Sequence, residues 1–298
     1  MRRSAGANQA SLRAEAGGRS SGVSPRYREG VGFSLASWTV LEHTTPGNKP
    51  PQRPAAACHT SKTRVREQVA TYYRWPMRSQ PVDRPADLDA VRESYDRVAD
   101  NYAHMVVTTG VGDIRKYPWL KASIDAFADT VSGLGPVLDV GCGPGTVTAY
   151  LAERGLDVSG VDLSPRMIEN ARRLHPQCRF SVGSATELDL GEASLGGVLG
   201  WWSLFNLPRD VLPQVLAVFA RALKPGGHFI TGTHVGDEDA VRTEAYGGVP
   251  VRWTTHQWQP EQFVDLIEQA GLRPVAELRL PANENVRPGL VVMAKRPG

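Results

Sequence analysis

The sequence predicts an open α/β sheet, its strands mostly parallel and its helices packed on both faces. Three observations carry this. Short aliphatic runs alternate with amphipathic helical stretches from residue 88 onward, a glycine-rich turn follows the first of those runs, and an aspartate ends the second.

Leu88, Val91, Tyr95, Val98, Tyr102 and Met105 recur at helical spacing and predict an amphipathic helix over 88–105. Leu120, Ile124, Phe127 and Val131 predict a second. The run Pro136 to Val140 is a first strand, and a helix over Thr146 to Arg154 follows the glycine turn and ends at Gly155. Val158 to Asp162 is the next strand. Ser164 then caps a helix with Pro165 at its first position. Arg179 to Val182 and Leu195 to Trp202 are further strands, and Leu212, Val215, Leu216, Phe219 and Leu223 mark a helix that Lys224-Pro225-Gly226-Gly227 stops. His228 to His234 is a fifth strand and Pro260 to Ala270 a helix. Two last strands near Pro274 to Leu280 and Leu290 to Lys295 complete a seven-stranded sheet.

Composition divides the 298 residues unequally. Residues 1–76 hold twelve basic side chains against four glutamates and no aspartate, a net +8, whereas 77–298 carry a net −5 and every aspartate of the chain. The first stretch is rich in Pro, Gly and Ser and shows no periodicity, so no core is expected there. It reads as translated sequence upstream of a start at Met77, an inert tail, an Arg-rich targeting peptide, or a basic arm for an acidic partner. The domain is therefore expected to occupy 77–298. Cys58, Cys142 and Cys178 are odd in number and lack paired spacing, which supports neither a disulfide framework nor a metal site. No apolar run approaches the roughly eighteen residues of a membrane span, and a cytoplasmic, soluble protein is expected.

The chemistry turns on Val137-Leu138-Asp139-Val140-Gly141-Cys142-Gly143-Pro144-Gly145-Thr146. Glycines after a first parallel strand let a ligand approach the backbone, and the following helix N-terminus suits an anionic group. Dinucleotides, mononucleotides and adenosyl ligands all use such a turn. The dinucleotide spacing would want a glycine where Thr146 stands, and no Gly-Lys-Ser/Thr phosphate loop is present. Asp162, ending the second strand, is placed to accept both hydroxyls of a ribose.

With these residues in view, the stretch from about Asp87 to Pro297 resembles the class I S-adenosylmethionine-dependent methyltransferases of the small-molecule type. The likeness rests on Asp139-x-Gly141-x-Gly143-x-Gly145, on Gly160-Val161-Asp162-Leu163-Ser164, on Arg221-Ala222-Leu223-Lys224-Pro225-Gly226-Gly227 and on Ala270-Gly271-Leu272. It implies a Rossmann-like seven-stranded sheet and S-adenosyl-L-methionine as cofactor. Gly141, Gly143 and Gly145 would lie against the methionine and ribose parts, Asp139 would organise the amino end, Asp162 would hold the ribose, and Leu163 and Met167 would flank the adenine. Where the family usually places an acid for the adenine amino group, this chain has Ser184, with the backbone amide of Ala185 beside it. The helix bearing Tyr95 and Tyr102 resembles the family's lid.

For the acceptor, His234 at the end of the fifth strand is the candidate general base or substrate clamp. His256 is a second. Trp201 and Trp202 form an aromatic cluster at the same edge, with Trp201 the candidate cofactor contact. The span 239–258 is expected to be an insertion capping the acceptor. A negative domain charge and the lack of an Asn/Asp-Pro-Pro-aromatic tetrad count against nucleic-acid substrates. The expectation is methylation of a small-molecule hydroxyl or amine. The alternatives are a protein that positions or rearranges a metabolite without methylating it, and a macromolecule methyltransferase that uses the basic arm.

Overall fold

The computed structural model describes residues 87–110, 112–282 and 287–298. The expectations for residues 1–76 lie outside the described residues.

In chain order, α1 (Asp87–Thr109) and α2 (Pro118–Val131) precede β1 (Val137–Val140), α3 (Thr146–Glu153), β2 (Val158–Asp162), α4 (Pro165–Leu174) and β3 (Arg179–Val182). Then come β4 (Leu195–Trp201), α5 (Leu212–Ala222), β5 (Leu223–His234), β6 (Ala240–Ala245), β7 (Val249–Thr255), α6 (Pro260–Gln269), β8 (Arg273–Leu280) and β9 (Gly289–Lys295). Seven strands form one sheet in the order β3-β2-β1-β4-β5-β9-β8. The first five run parallel, and β9 pairs antiparallel with both β5 and β8. Strand order reverses between β1 and β4, which opens a crevice at their carboxyl ends where α/β sheets bind ligands.

The helical stripes read from the sequence are the buried ones. Ile124, Phe127 and Val131 of α2 join Val147 and Leu151 of α3 under one face, and Leu212, Val215, Leu216 and Phe219 of α5 join Phe263 and Ile267 of α6 under the other. Each fully buried aliphatic or aromatic side chain contributes about 1.5–3 kcal/mol. Among the described residues no helix is long and apolar enough to cross a membrane.

Three elements differ from the expectation. The helix predicted to end at 105 continues to Thr109. β5 begins at Leu223, so the glycine-rich stop lies inside a strand, where the register against β4 shifts between Leu195 and Gly197. The span 239–258, assigned no strand from the sequence, contains two: β6 and β7 form a separate antiparallel hairpin, with Ala245 opposite Val249 across the turn Tyr246-Gly247-Gly248. Val251, Trp253 and Thr255 are buried at every second position while Pro250 and Arg252 are exposed, the alternation of a half-buried strand. That alternation and the paired glycines were the available sequence signal.

The hairpin packs on α1. Tyr95 and Trp253 stack with ring centroids 4.6 Å apart, Tyr102 meets Tyr246 at 4.5 Å, and Ser94 exchanges hydrogen bonds with the Arg252 N–H (2.9 Å) and carbonyl (3.3 Å). α1 is tied in turn to α4, because Asp96 Oδ1 accepts from Ser164 Oγ at 2.5 Å and from the Arg166 N–H at 3.1 Å. A carboxylate is thereby added to a helix N-terminus that Ser164 already caps through the Met167 N–H. Asp96→Ala is expected to cost about 1–2 kcal/mol, read as a lower urea midpoint with an unchanged slope.

Candidate functional site

The turn after β1 supplies the floor of the site. Gly141 has φ +74°, and a Cβ there would come within 2.3 Å of the Ser203 Cβ in the turn that follows β4. Gly145 has φ +82°, and its Cβ would meet the Phe180 ring at 2.5 Å. These positions require both the left-handed conformation and the missing side chain. Ser203 closes the gap by donating to the Val140 carbonyl at 2.6 Å.

Two carboxylates, the buried Asp139 and the half-buried Asp162, face this turn. Asp162 Oδ2 accepts from the Gly143 N–H at 2.8 Å and Oδ1 from the Ser164 N–H at 2.9 Å, so each oxygen keeps acceptor capacity for a hydroxyl. Asp139 Oδ2 accepts from Thr148 Oγ1 at 2.6 Å, while its buried Oδ1 has no hydrogen-bond partner. Burial raises both pKa values from 3.8 to about 6, and the Asp162 charge adds to the rise at Asp139. Paired acids with pKa values raised by burial mark functional clefts.

One cavity, of about 180 Å³, joins these groups. Gly141, Gly143, Asp139, Asp162, Leu163, Met167, Ser184, Ala185 and Trp201, all proposed from sequence, line it; Gly145, behind the turn, does not. Ser184 Oγ lies 2.8 Å from Thr186 Oγ1 and accepts from the Thr186 N–H at 3.3 Å. The polar group of the wall at this end is thus the Ser184 hydroxyl, held by Thr186. A ligand with a vicinal diol beside Asp162, a cationic group near Asp139 and a flat ring between the Leu163 and Ala185 ends matches these residues, and S-adenosylmethionine has all three.

His234 is not among the lining residues. It ends β5 with its ring 5.0 Å from Trp202 and 4.9 Å from Phe205, both of which do line the cavity. Burial drops its pKa to about 3, a value that makes a poor base near neutral pH. His256 does not line the cavity either, and its Nδ1 lies 2.7 Å from Asp239. Sequence reasoning passed over Tyr246 and Asn206, which both face the cavity, and Asp96, which fixes α1. Asn206 had no motif to announce it.

The raised pKa of Asp139 has a consequence for stability. A folded pKa of about 6 against 3.8 means that the fold loses stability as pH rises from about 4 to 6 and carries the full penalty above that. Asp139→Asn is therefore expected to raise the melting temperature of the ligand-free protein at pH 7.5, with the gain vanishing near pH 4.

A family model described as a methyltransferase domain matches residues 137–227. A demethylmenaquinone methyltransferase of Symbiobacterium thermophilum is 33% identical over 151 residues, covering 47% of this chain and 57% of that protein. An uncharacterized methyltransferase of Synechocystis is 31% identical over 131 residues, covering 38% of this chain and 62% of that protein. The chain spans roughly three-fifths of the length of these curated relatives. Among solved structures, a Burkholderia thailandensis 1,6-didemethyltoxoflavin-N1-methyltransferase superposes with a TM-score of 0.54 at 24% identity, covering 73% of this chain and 94% of that one. The cyclase SpnF does so with 0.53 at 16% identity, covering 73% and 99%. These structural likenesses establish the Rossmann-like fold, and the match of residues 137–227 to the methyltransferase-domain model, with curated methyltransferases similar to part of the chain, agrees with the glycine–aspartate cradle.

Proposed function

We propose that the protein transfers the methyl group of S-adenosylmethionine to a hydroxyl or amine of a small-molecule acceptor. The observation that carries this reading is the continuity of one cavity, which runs from the Asp139–Asp162 cradle to aromatic walls at Trp201, Trp202, Tyr95 and Tyr246. The cofactor supplies a methyl group already activated on a sulfonium, so the protein's work is alignment and exclusion of water.

Each residue then has a physical task. Asp162 receives the ribose hydroxyls, the unpartnered Asp139 Oδ1 faces the amino end, Leu163 and Met167 flank the adenine, and Ser184 with the Ala185 amide meets its polar edge. Trp201 adds an aromatic wall to the charged centre. α1 and the β6–β7 hairpin roof the cavity and keep water out, which gives the insertion its acceptor-capping role. His234 acts through Trp202 and Phe205, whose rings it supports, rather than by taking a proton.

A second reading has one observation in its favour. Among the described lining residues no group is poised to take a proton at neutral pH: Asp139 and Asp162 serve the cofactor, burial pushes Tyr102 up to about 12 and Tyr95 higher still. That arrangement also suits a protein that positions or rearranges a metabolite without methylating it.

Turnover separates the two. Incubation with methyl-labelled S-adenosylmethionine and a metabolite extract is expected to move label into a small molecule and release S-adenosylhomocysteine; binding without release would favour the second reading. Failure of the wild type to bind either ligand in calorimetry would sink both. Asp162→Ala is expected to weaken binding tenfold or more, since roughly 1.5–3 kcal/mol attends each hydrogen bond to a charged group. Because the cradle acids must be ionised, affinity for S-adenosylhomocysteine is expected to hold above pH 6 and to fall by about tenfold per pH unit below it for each acid that must lose its proton.

A further inference from the structure

We infer that the compartment between Trp202, Tyr246 and the Tyr95–Asn206 pair is the acceptor subsite. Its occupant is a planar heteroaromatic molecule that presents a hydrogen-bond donor beside an acceptor, such as a lactam edge. The inference deepens the methyltransferase reading and rests on it.

Backbone strain, ring placement and unmet polarity converge on this compartment. Among the described residues Ala193, Trp202 and Tyr246 are the non-glycine residues with positive φ, and two of the three line this cavity. Bulky side chains are held in the left-handed region only where the surroundings impose it, and such strain gathers at ligand sites. Trp202 has φ +52° and lays its indole on Gly232 of β5 and Gly289 of β9, where added Cβ atoms would come within 2.7 and 2.6 Å of the ring. Tyr246 has φ +43° at the hairpin turn and lines the same cavity. Flat walls of this kind suit a flat occupant.

Polarity at the edge is specific. Asn206 Nδ2 donates to Tyr95 Oη at 2.8 Å, while the buried Asn206 Oδ1 has no partner. The Tyr95 oxygen is an acceptor in that bond, so its proton remains to be given onward, and strong burial keeps the phenol protonated. An acceptor and a donor therefore sit side by side. An unpaired buried carbonyl costs stability until a ligand N–H or O–H meets it.

Two probes differing by one methyl group test the inference. 2-Quinolone carries a ring N–H beside its carbonyl; 1-methyl-2-quinolone keeps the flat ring and the carbonyl but puts a methyl group in place of the donor. Calorimetry is run on protein saturated with S-adenosylhomocysteine, whose own binding is measured first. The expected result is that 2-quinolone binds about tenfold more tightly than its methylated form, that Asn206→Leu removes the difference, and that Tyr95→Phe, which keeps the ring stack, reduces it severalfold. Equal binding of the two probes, no binding of 2-quinolone up to about 5 mM, or an unchanged preference in both variants would overturn the assignment. If S-adenosylhomocysteine itself fails to bind, the cofactor reading falls and this inference with it; if it binds and the probes do not, only the inference falls.

Discussion

The grip of Asp162 on two backbone N–H groups is the interaction on which the site is built. One carboxylate at the end of β2 holds the Gly143 amide of the glycine turn and the Ser164 amide at the start of α4. Ser164 Oγ passes the connection to Asp96 of α1, and α1 passes it to the hairpin through the Tyr95–Trp253 stack. Floor, rear wall and roof of the cavity are linked in series through a residue that also offers its remaining lone pairs to a ligand. Loss of that carboxylate would loosen the cradle and its cover together.

Holding Asp139 and Asp162 partly or wholly out of water and close in influence is costly to the empty fold. Desolvation raises both pKa values to about 6, so at neutral pH each is ionised against its environment. Asp139 Oδ1 has no partner to offset this. Ligand groups that complete these hydrogen bonds recover the penalty, which is one way a protein turns native-state instability into affinity. The same logic applies to Asn206 Oδ1 and to the left-handed Trp202 and Tyr246. Local rules of backbone and polarity are broken where the cavity is, and kept in the α2–α3 and α5–α6 layers that support it.

His234 shows how position along a strand differs from position in a site. Ending a central strand at the carboxyl edge is the right address for a catalytic group, yet successive side chains leave opposite faces and neighbouring rings decide what reaches the ligand. Here Trp202, seated on two glycines of adjacent strands, and Phe205 take the front positions, and the imidazole stands behind them.

The sequence alone determined the elements whose signal is local. Periodicity placed the helices and the sheet strands, and the Asp139-to-Gly145 turn with Asp162 marked residues that line the cavity, because a left-handed turn and a strand-end acid follow from neighbours a few residues away. Tertiary structure decided the rest. That 240–255 is a hairpin docked on α1, that Asp96 caps α4 from 68 residues upstream, and that Asn206 meets Tyr95 across 111 positions all depend on chain segments distant in sequence packing together. Such contacts leave no periodic trace, since each is made by single side chains whose partners the fold alone brings within reach.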